Sequence, residues 1–295
     1  MSQKLFITGG SGFIGLNLQE YFRDQLEVYA PPHAELELLD EKAVFQYLKR
    51  TPFDYVIHCA TWDAARNSVK AQDEVYENNL KMFFNIARHP DLFGKLLFYG
   101  SGAEYDRRHL TPRMNEDYFG AHVPPDPYGA SVYRMTQHAL ESENIFNMRL
   151  FGVFGPHEDW EIRFISNACC KAVWDLPITI KQNAIFDYLY IKDLMKITGW
   201  FLEHAPDEHV YNVCRGRTYE LTELARIVRD VTGKDLEIRV LQDGLDRNYS
   251  GDNSRLLGQL GNFDFTPINE AIAATYAWYE QHKDRIDRDK LLIDK

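Results

Sequence analysis

The residues that most constrain this chain come first. An apolar run, Leu5-Phe-Ile-Thr8, passes straight into Gly9-Gly10-Ser11-Gly12-Phe13-Ile14-Gly15 and then into an amphipathic stretch with Phe13, Ile14, Leu18, Tyr21 and Phe22 on one side. A strand, a glycine-rich turn and a helix in that order open a βαβ unit. Glycines at 9, 12 and 15 permit a tight turn, close approach of backbone to a ligand, and close packing of helix on strand. The free N–H groups and dipole of a helix N-terminus favour an anion. The loop is therefore read as the seat of a dinucleotide pyrophosphate, with Gly9, Gly12, Phe13, Ile14 and Gly15 as contacts. An acidic residue often ends the second strand of such a unit and binds the ribose hydroxyls. Here that strand ends Val28-Tyr-Ala-Pro-Pro-His33. His33 is either a ribose-side contact or an exposed loop histidine, and no Arg stands there for a 2′-phosphate. NAD and NADP both remain open as cofactors.

Short apolar runs then alternate with amphipathic stretches. Strands are expected at 4–8, 27–30, 55–60, 95–101 and 147–151, and helices at 13–24, 41–50, 73–88 and within 127–146. Continuous apolar strands separated by helices imply a parallel sheet covered on both faces, and right-handed crossovers make it doubly wound. The fold class expected is α/β, a Rossmann-type sheet with a smaller C-terminal α/β lobe. After about Gly155 the pattern changes. A helix at 164–174, short strands at 178–181, 186–191 and 211–213, a helix at 222–232 capped by Thr222, a strand at 237–240 and a helix at 268–282 follow. The cofactor domain is expected to span 1–155, with 186–213 returning to it, and 156–295 to form mainly a substrate lobe.

Composition narrows the function classes. The net charge is −11 and no basic stripe interrupts it, which argues against nucleic acid and anionic membranes as partners. No apolar run approaches the roughly 20 residues of a membrane span, and no charged-then-apolar leader precedes the first strand. Four cysteines, at 59, 169, 170 and 214, show no metal-ligand spacing. Cys59 reads as a small core residue, no metal is expected, and a reduced, cytoplasmic protein follows.

Several further stretches carry a resemblance: Glu35-Leu-Glu-Leu-Leu-Asp40, His58-Cys-Ala60, Asn79 with Asn85, Gly100-Ser-Gly-Ala-Glu-Tyr105, Pro127-Tyr128, Phe154-Gly-Pro156, Asp187-Tyr-Leu-Tyr-Ile-Lys-Asp193 and Tyr211-Asn-Val213. With the glycine loop, they make the chain resemble, to about Arg285, the extended short-chain dehydrogenase/reductases acting on nucleotide-activated sugars. It is most similar to the GDP-fucose synthase and nucleotide-sugar reductase/epimerase branch. The resemblance implies Leu38, Ala60 and Asn79 as further cofactor contacts, and a nucleotide-sugar substrate. It also implies work in surface-polysaccharide biosynthesis and a homodimer built on the helices at 73–88 and 130–144, where Met82, Phe83 and Phe84 suit an interface or a helix core equally. Catalysis is implied at Ser101, which would hold a sugar oxygen, and Tyr128, which would exchange a proton with it.

Three positions depart from the family pattern. The lysine expected four residues after Tyr128 is Val132, and Arg134, about 200° further round a helix, cannot replace it. Losing one charge-assisted hydrogen bond, about 1.5–3 kcal/mol, amounts to about ten- to a hundredfold in rate. Gly152 and Phe186 stand where the family usually has Asn and Arg against the sugar nucleotide, and the branch's cysteine between Ser and Tyr is Ala103. A standard reductase or epimerase and a cofactor-binding homologue with impaired redox catalysis, working as a non-redox epimerase or a partner subunit, are both consistent with this. Substrate contacts are expected from Trp62, Arg66, Glu104, His157, Arg163 and Arg247, with Trp160 a further candidate. They lie in loops that should follow the carboxyl ends of strands, where ligands of such sheets bind. Glu104 is either a new acid/base or a solvated carboxylate.

Overall fold

A computed structural model describes residues 2–62, 68 and 70–293. The first half of the chain alternates strands and helices: β1 (Lys4–Thr8), α1 (Phe13–Phe22), β2 (Glu27–Tyr29), α2 (Glu41–Arg50), β3 (Phe53–His58), α3 (Val75–Ala87), β4 (Phe93–Phe98), α4 (Pro127–Leu140) and β5 (Ile145–Leu150). Then come β6 (Gly152–Phe154), α5 (Phe164–Val173), β7 (Ile178–Tyr190), α6 (Ile191–Glu203), β8 (Val210–Val213), β9 (Thr218–Glu220), α7 (Leu221–Thr232), β10 (Ile238–Tyr249), α8 (Ser254–Leu260) and α9 (Ile268–Gln281).

Six strands make one all-parallel sheet in the order β2-β1-β3-β4-β5-β8. Successive residues of a strand face opposite sides, and the core divides accordingly. Leu5, Ile7, Tyr55, Ile57 and Leu97 pack with Leu18 and Phe22 of α1 and Ile197 and Phe201 of α6. Phe6, Val56, Leu96 and Phe98 pack on the other face with Val44 of α2, Phe83 of α3 and Met135 of α4. From β1 the chain goes first to β2 on one side and later to β3 on the other. The order reverses beside β1, and ligands of open α/β sheets bind at such a switch point, beyond the carboxyl ends of the strands. The glycine loop leaves β1 there. Met82 and Phe83 are buried within the chain, so for these two the helix-core reading holds.

A second sheet, β10-β7-β6 with β9 antiparallel to β7, carries α5, α7 and α9. Three sequence expectations are corrected here. The strands expected at 178–181 and 186–191 are one continuous β7, whose polar Lys181-Gln-Asn183 centre hid its continuity. The stretch around Arg247, expected as a loop, is strand: β10 runs to Tyr249 along the edge of the sheet, with residues 239–247 exposed. Thr222 does not cap α7; the cap position is Glu220, whose carboxylate accepts from the Thr222 hydroxyl at 3.2 Å. All four cysteines are free, and none of the described helices is long and apolar enough to cross a membrane.

Candidate functional site

The glycine loop is built for close approach. Gly9 has φ +67°, and a Cβ there would lie 2.7 Å from the Ala60 nitrogen. A Cβ on Gly15 would lie 2.3 Å from the Gly9 carbonyl oxygen, so α1 seats on β1 only with glycine at that position. Gly12 is the N-cap of α1 and supplies no side-chain acceptor to its first turn, which begins Phe13-Ile14. A Cβ on Gly12 would meet nothing nearer than the Gly9 oxygen at 3.4 Å, so that side of the loop is open. Uncapped amides beside an open cradle fit an anionic pyrophosphate.

Around this cradle, Thr8 Oγ1 accepts from the backbone N–H groups of Cys59 and Ala60, each at 3.2 Å. Buried Asn79 accepts from the Trp62 N–H at 2.7 Å. Thr8 and Asn79 thus pin the segment leaving β3 beside the loop leaving β1. The Leu38 carbonyl accepts from Asn85 at 2.8 Å. His33 lies on the surface, 2.6 Å from Glu37. The Trp62 indole donates to the Ala71 carbonyl, with Lys70 stacked on its ring. Arg66 falls outside the described residues.

Beyond β4 the chain places Ser101 and Tyr128 together. Asp126 caps α4 by accepting from the Gly129 N–H at 2.8 Å, and Pro127 fills the first helical position, where the missing N–H costs nothing. Tyr128 is thereby held in the first turn, with its ring against the cluster that includes Val132 and its hydroxyl near enough to Ser101 for the serine to favour its ionised form. Burial pushes the Tyr128 phenol up to about 12, the neighbouring Tyr249 adds to this, and Ser101 and the Arg163 cation work against it. Ser101 is itself an N-cap. Its Oγ accepts from the Ala103 N–H at 3.2 Å, and its own N–H donates to Glu104 Oε1 at 2.9 Å. This capping box was legible in the sequence as Ser101-Gly-Ala-Glu104, a signal the sequence reading passed over.

Glu104 therefore needs correction. It is neither a cleft acid nor a solvated carboxylate, because it is fully buried. Its Oε2 accepts from Thr136 Oγ1 at 2.7 Å and Arg149 Nε at 2.9 Å, and Asn147 reaches both oxygens at 3.1 Å. Arg149 is equally buried; it also donates to the hydroxyl of Tyr105, which in turn donates to Asn212 at 2.8 Å. Burial opposes the Arg149 charge, but Glu104 and Tyr105 outweigh it and hold the guanidinium above its ordinary pKa. An arginine in an apolar strand, Asn147-Met-Arg-Leu150, demands a buried partner, and that too was legible.

The three departures have physical explanations. Val132 is 4% exposed among Phe83, Ile86, Met135 and Ala139. A Cβ on Gly152 would lie 2.6 Å from the Asp187 carbonyl oxygen, so no side chain fits where β6 meets β7. Phe186 joins a half-buried aromatic group, its ring centre 5.6 Å from that of Tyr188 and 6.0 Å from that of Tyr249. Arg163, at the start of α5, is exposed and acts electrostatically on both Tyr128 and Tyr249. His157 is not gathered with them by any bond: its Nε2 lies 2.8 Å from Glu20 of α1 and its ring packs edge-on to Trp278 of α9. Trp160 accepts through its carbonyl from Asn167 at 2.9 Å. Arg247 stands in β10 rather than in a loop and pairs with its neighbour Asp246. Tyr249, absent from the sequence-based candidates, reaches Ser101 at 3.3 Å.

Known proteins resemble this chain in sequence and in fold. Residues 5–214 match the profile of the family described as "NAD dependent epimerase/dehydratase family". A GDP-6-deoxy-D-mannose reductase of Pseudomonas aeruginosa is 24% identical, over 81% of this chain and 83% of its own. A GDP-L-fucose synthase of Escherichia coli is 23% identical, over 96% of this chain and 98% of its own. Among solved structures, a GDP-L-fucose synthetase from Naegleria fowleri bound to NADP superposes with a TM-score of 0.83 at 17% identity, covering 96% of this chain and 94% of the other.

Proposed function

The chain belongs to the NAD dependent epimerase/dehydratase family, and from that premise we propose that it reduces the 4-keto group of a nucleotide sugar at the expense of NADPH or NADH. The observation that carries this is the Ser101–Tyr128 pair, with Tyr128 held as a neutral phenol. With a pKa of about 12, only ~10⁻⁵ of the phenol is ionised at pH 7. Such a group is present as a proton donor and not as a base, and although a weaker acid than a free phenol it is still acidic enough to protonate an alkoxide. It suits reduction, in which the new alkoxide must be protonated, better than an epimerisation that begins by oxidising the sugar.

The roles divide as follows. Gly9, Gly12, Gly15 and the amides of Phe13 and Ile14 bind the pyrophosphate. Ala60 and Asn79 flank the dinucleotide's path, and Leu38 and His33 lie toward its adenosine end. Bound there, a reduced nicotinamide supplies hydride. Ser101 holds the sugar oxygen by donating its hydroxyl hydrogen, and Tyr128 gives the proton. Trp62, Arg66, Arg163, His157 and Arg247 are the proposed contacts to the nucleotide sugar. Surface-polysaccharide biosynthesis, a cytoplasmic location and a homodimer complete the proposal.

A second reading rests on Val132. With an apolar residue buried where the family lysine stands, the chain would bind cofactor and serve as a non-redox epimerase or a partner subunit. One experiment separates the two. Purified protein is given NADPH or NADH with GDP-4-keto-6-deoxy-D-mannose and its UDP- and dTDP-linked counterparts, while nicotinamide absorbance and product are followed. Stoichiometric cofactor oxidation with formation of the reduced sugar supports the reductase. Cofactor binding without oxidation on any of these substrates supports the second reading, and absence of cofactor binding overturns both.

A further inference from the structure

Ser101 has more neighbours than the reaction scheme uses. A serine hydroxyl offers one donor and two acceptor lone pairs. The Ala103 N–H takes one lone pair at 3.2 Å. The Tyr249 hydroxyl lies 3.3 Å from the same oxygen, and Ser101 also acts on the Tyr128 phenol, favouring its ionised form. Tyr249 comes from β10, 148 residues away in sequence, and its delivery is specific. β10 slips register against β7 twice, the second slip falling between Leu245 and Asn248, immediately before Tyr249. Such irregularities re-aim side chains and recur beside active sites. Gly102 leaves the space: a Cβ there would lie 2.7 Å from the Tyr249 hydroxyl and 2.7 Å from the Phe151 ring. The Tyr249 ring rests 5.2 Å from Phe151 and 6.0 Å from Phe186, centre to centre. Those contacts would serve a phenylalanine equally well. The hydroxyl, by contrast, must be desolvated in this aromatic setting, and Ser101 is the partner that offsets that cost.

We propose that Tyr249 is a positioning residue for the reduction, acting through Ser101: its hydroxyl donates to the second Ser101 lone pair and so fixes the direction of the serine's own hydrogen. This rests on the reductase reading above. With both lone pairs taken, that hydrogen can point only at the Tyr128 oxygen or at a substrate carbonyl. A Tyr249–Ser101–Tyr128 chain of hydroxyls then stands aligned before the substrate enters. It supplies order at the reacting oxygen where the family relies on a lysine one helical turn beyond the tyrosine.

The test is a double-mutant cycle with Tyr249→Phe and Ser101→Ala, using NADPH and whichever 4-keto nucleotide sugar proves active. Loss of one neutral hydrogen bond predicts that Tyr249→Phe lowers kcat by about three- to tenfold, with KM for the sugar and the cofactor Kd within about twofold of wild type. In the Ser101→Ala background the same substitution should change kcat by less than about twofold, because its route is gone. An unchanged kcat in Tyr249→Phe, or the same loss in both backgrounds, overturns the proposal. The aromatic packing is kept in every variant, so a purely structural role would show as a fall in Tm and not as this non-additivity. A readout independent of turnover is the Cζ resonance of Tyr249 in protein labelled with ¹³C at tyrosine, identified by its loss in Tyr249→Phe. It should move in Ser101→Ala, and a resonance that stays in place overturns the hydroxyl chain. A protein that reduces no 4-keto sugar sinks the reductase reading, while that resonance still decides the chain.

Discussion

Replacing Glu104 by Gln tests the assignment on which the site's rigidity depends. Glu104 and Arg149 are both wholly inaccessible, 2.9 Å apart. Removing one charge leaves a buried, unpaired guanidinium, and breaking such a pair costs about 3–5 kcal/mol. For a chain of 295 residues the unfolding entropy is about 0.6 kcal/mol/K, so the melting temperature should fall by about 5–8 °C. Glu104→Gln/Arg149→Met removes both charges, and Tyr105 and Asn212 still satisfy each other across their 2.8 Å bond. It should regain at least half of the loss, because a buried pair replaced by apolar groups is often near neutral. Catalysis is the discriminating arm. The glutamine carbonyl can still accept from the Ser101 N–H, so below its melting temperature the single variant should keep kcat within about threefold. Calorimetry and steady-state kinetics measure both quantities. An unchanged Tm together with a kcat reduced by orders of magnitude would refute the reasoning, since that is the signature of a substrate-facing acid.

Three further outcomes follow from the geometry. Ser101→Ala and Tyr128→Phe should each lower reduction by about 10²-fold or more while leaving cofactor Kd, measured by fluorescence titration, within about threefold. Gly12→Ala should weaken dinucleotide binding with little change in Tm, because its methyl group enters open space over the helix N-terminus, whereas Gly15→Ala should lower Tm, because its methyl group meets the Gly9 oxygen at 2.3 Å. Glu158 is buried beside Ser166, and burial pushes its carboxyl up to about 8. Its folded pKa lies above its unfolded one, so between about pH 4.5 and 8 the folded state holds the extra proton and stability falls as pH rises. The slope is at most about 1.4 kcal/mol per pH unit. Glu158→Gln should flatten that part of the Tm–pH curve, and an unchanged slope would count against the burial argument.

What the sequence disclosed follows from how local each signal is. The glycine loop, the strands of the first sheet and the Tyr128 helix start are set by neighbours within a few residues, through turn space, apolar runs and the Asp126-Pro127 cap. The second sheet was harder to read. β7 is only partly covered at its polar centre and β10 is exposed along most of its length, so both resemble loops there. Glu104 was misplaced although its partner Arg149 was visible as a charge inside an apolar strand, because pairing across 45 residues leaves no local trace beyond the need for a partner. Tyr249 had no local signal at all. Its place depends on the register of an edge strand, and only the assembled sheet fixes that.

The three departures from the family pattern make one consistent change in the cleft. At 132 an ammonium is replaced by a side chain that completes the apolar packing between α3 and α4. At 152 the close approach of β7 leaves no room for an amide. At 186 a ring joins Tyr188 and Tyr249 in an aromatic group beside Ser101. Each change takes a polar or charged group away from the reacting end, and each lowers the local capacity to stabilise an anion. A phenolate at Tyr128 loses most from this, since burial already disfavours it and Arg163, the cation that opposes burial, is exposed to solvent. A neutral phenol loses nothing. The pyrophosphate cradle at Gly9, Gly12 and Gly15 is untouched by any of the three. On the proposed reading, a chain altered in this way would keep dinucleotide affinity and proton donation while giving up proton abstraction, which is the balance that reduction requires.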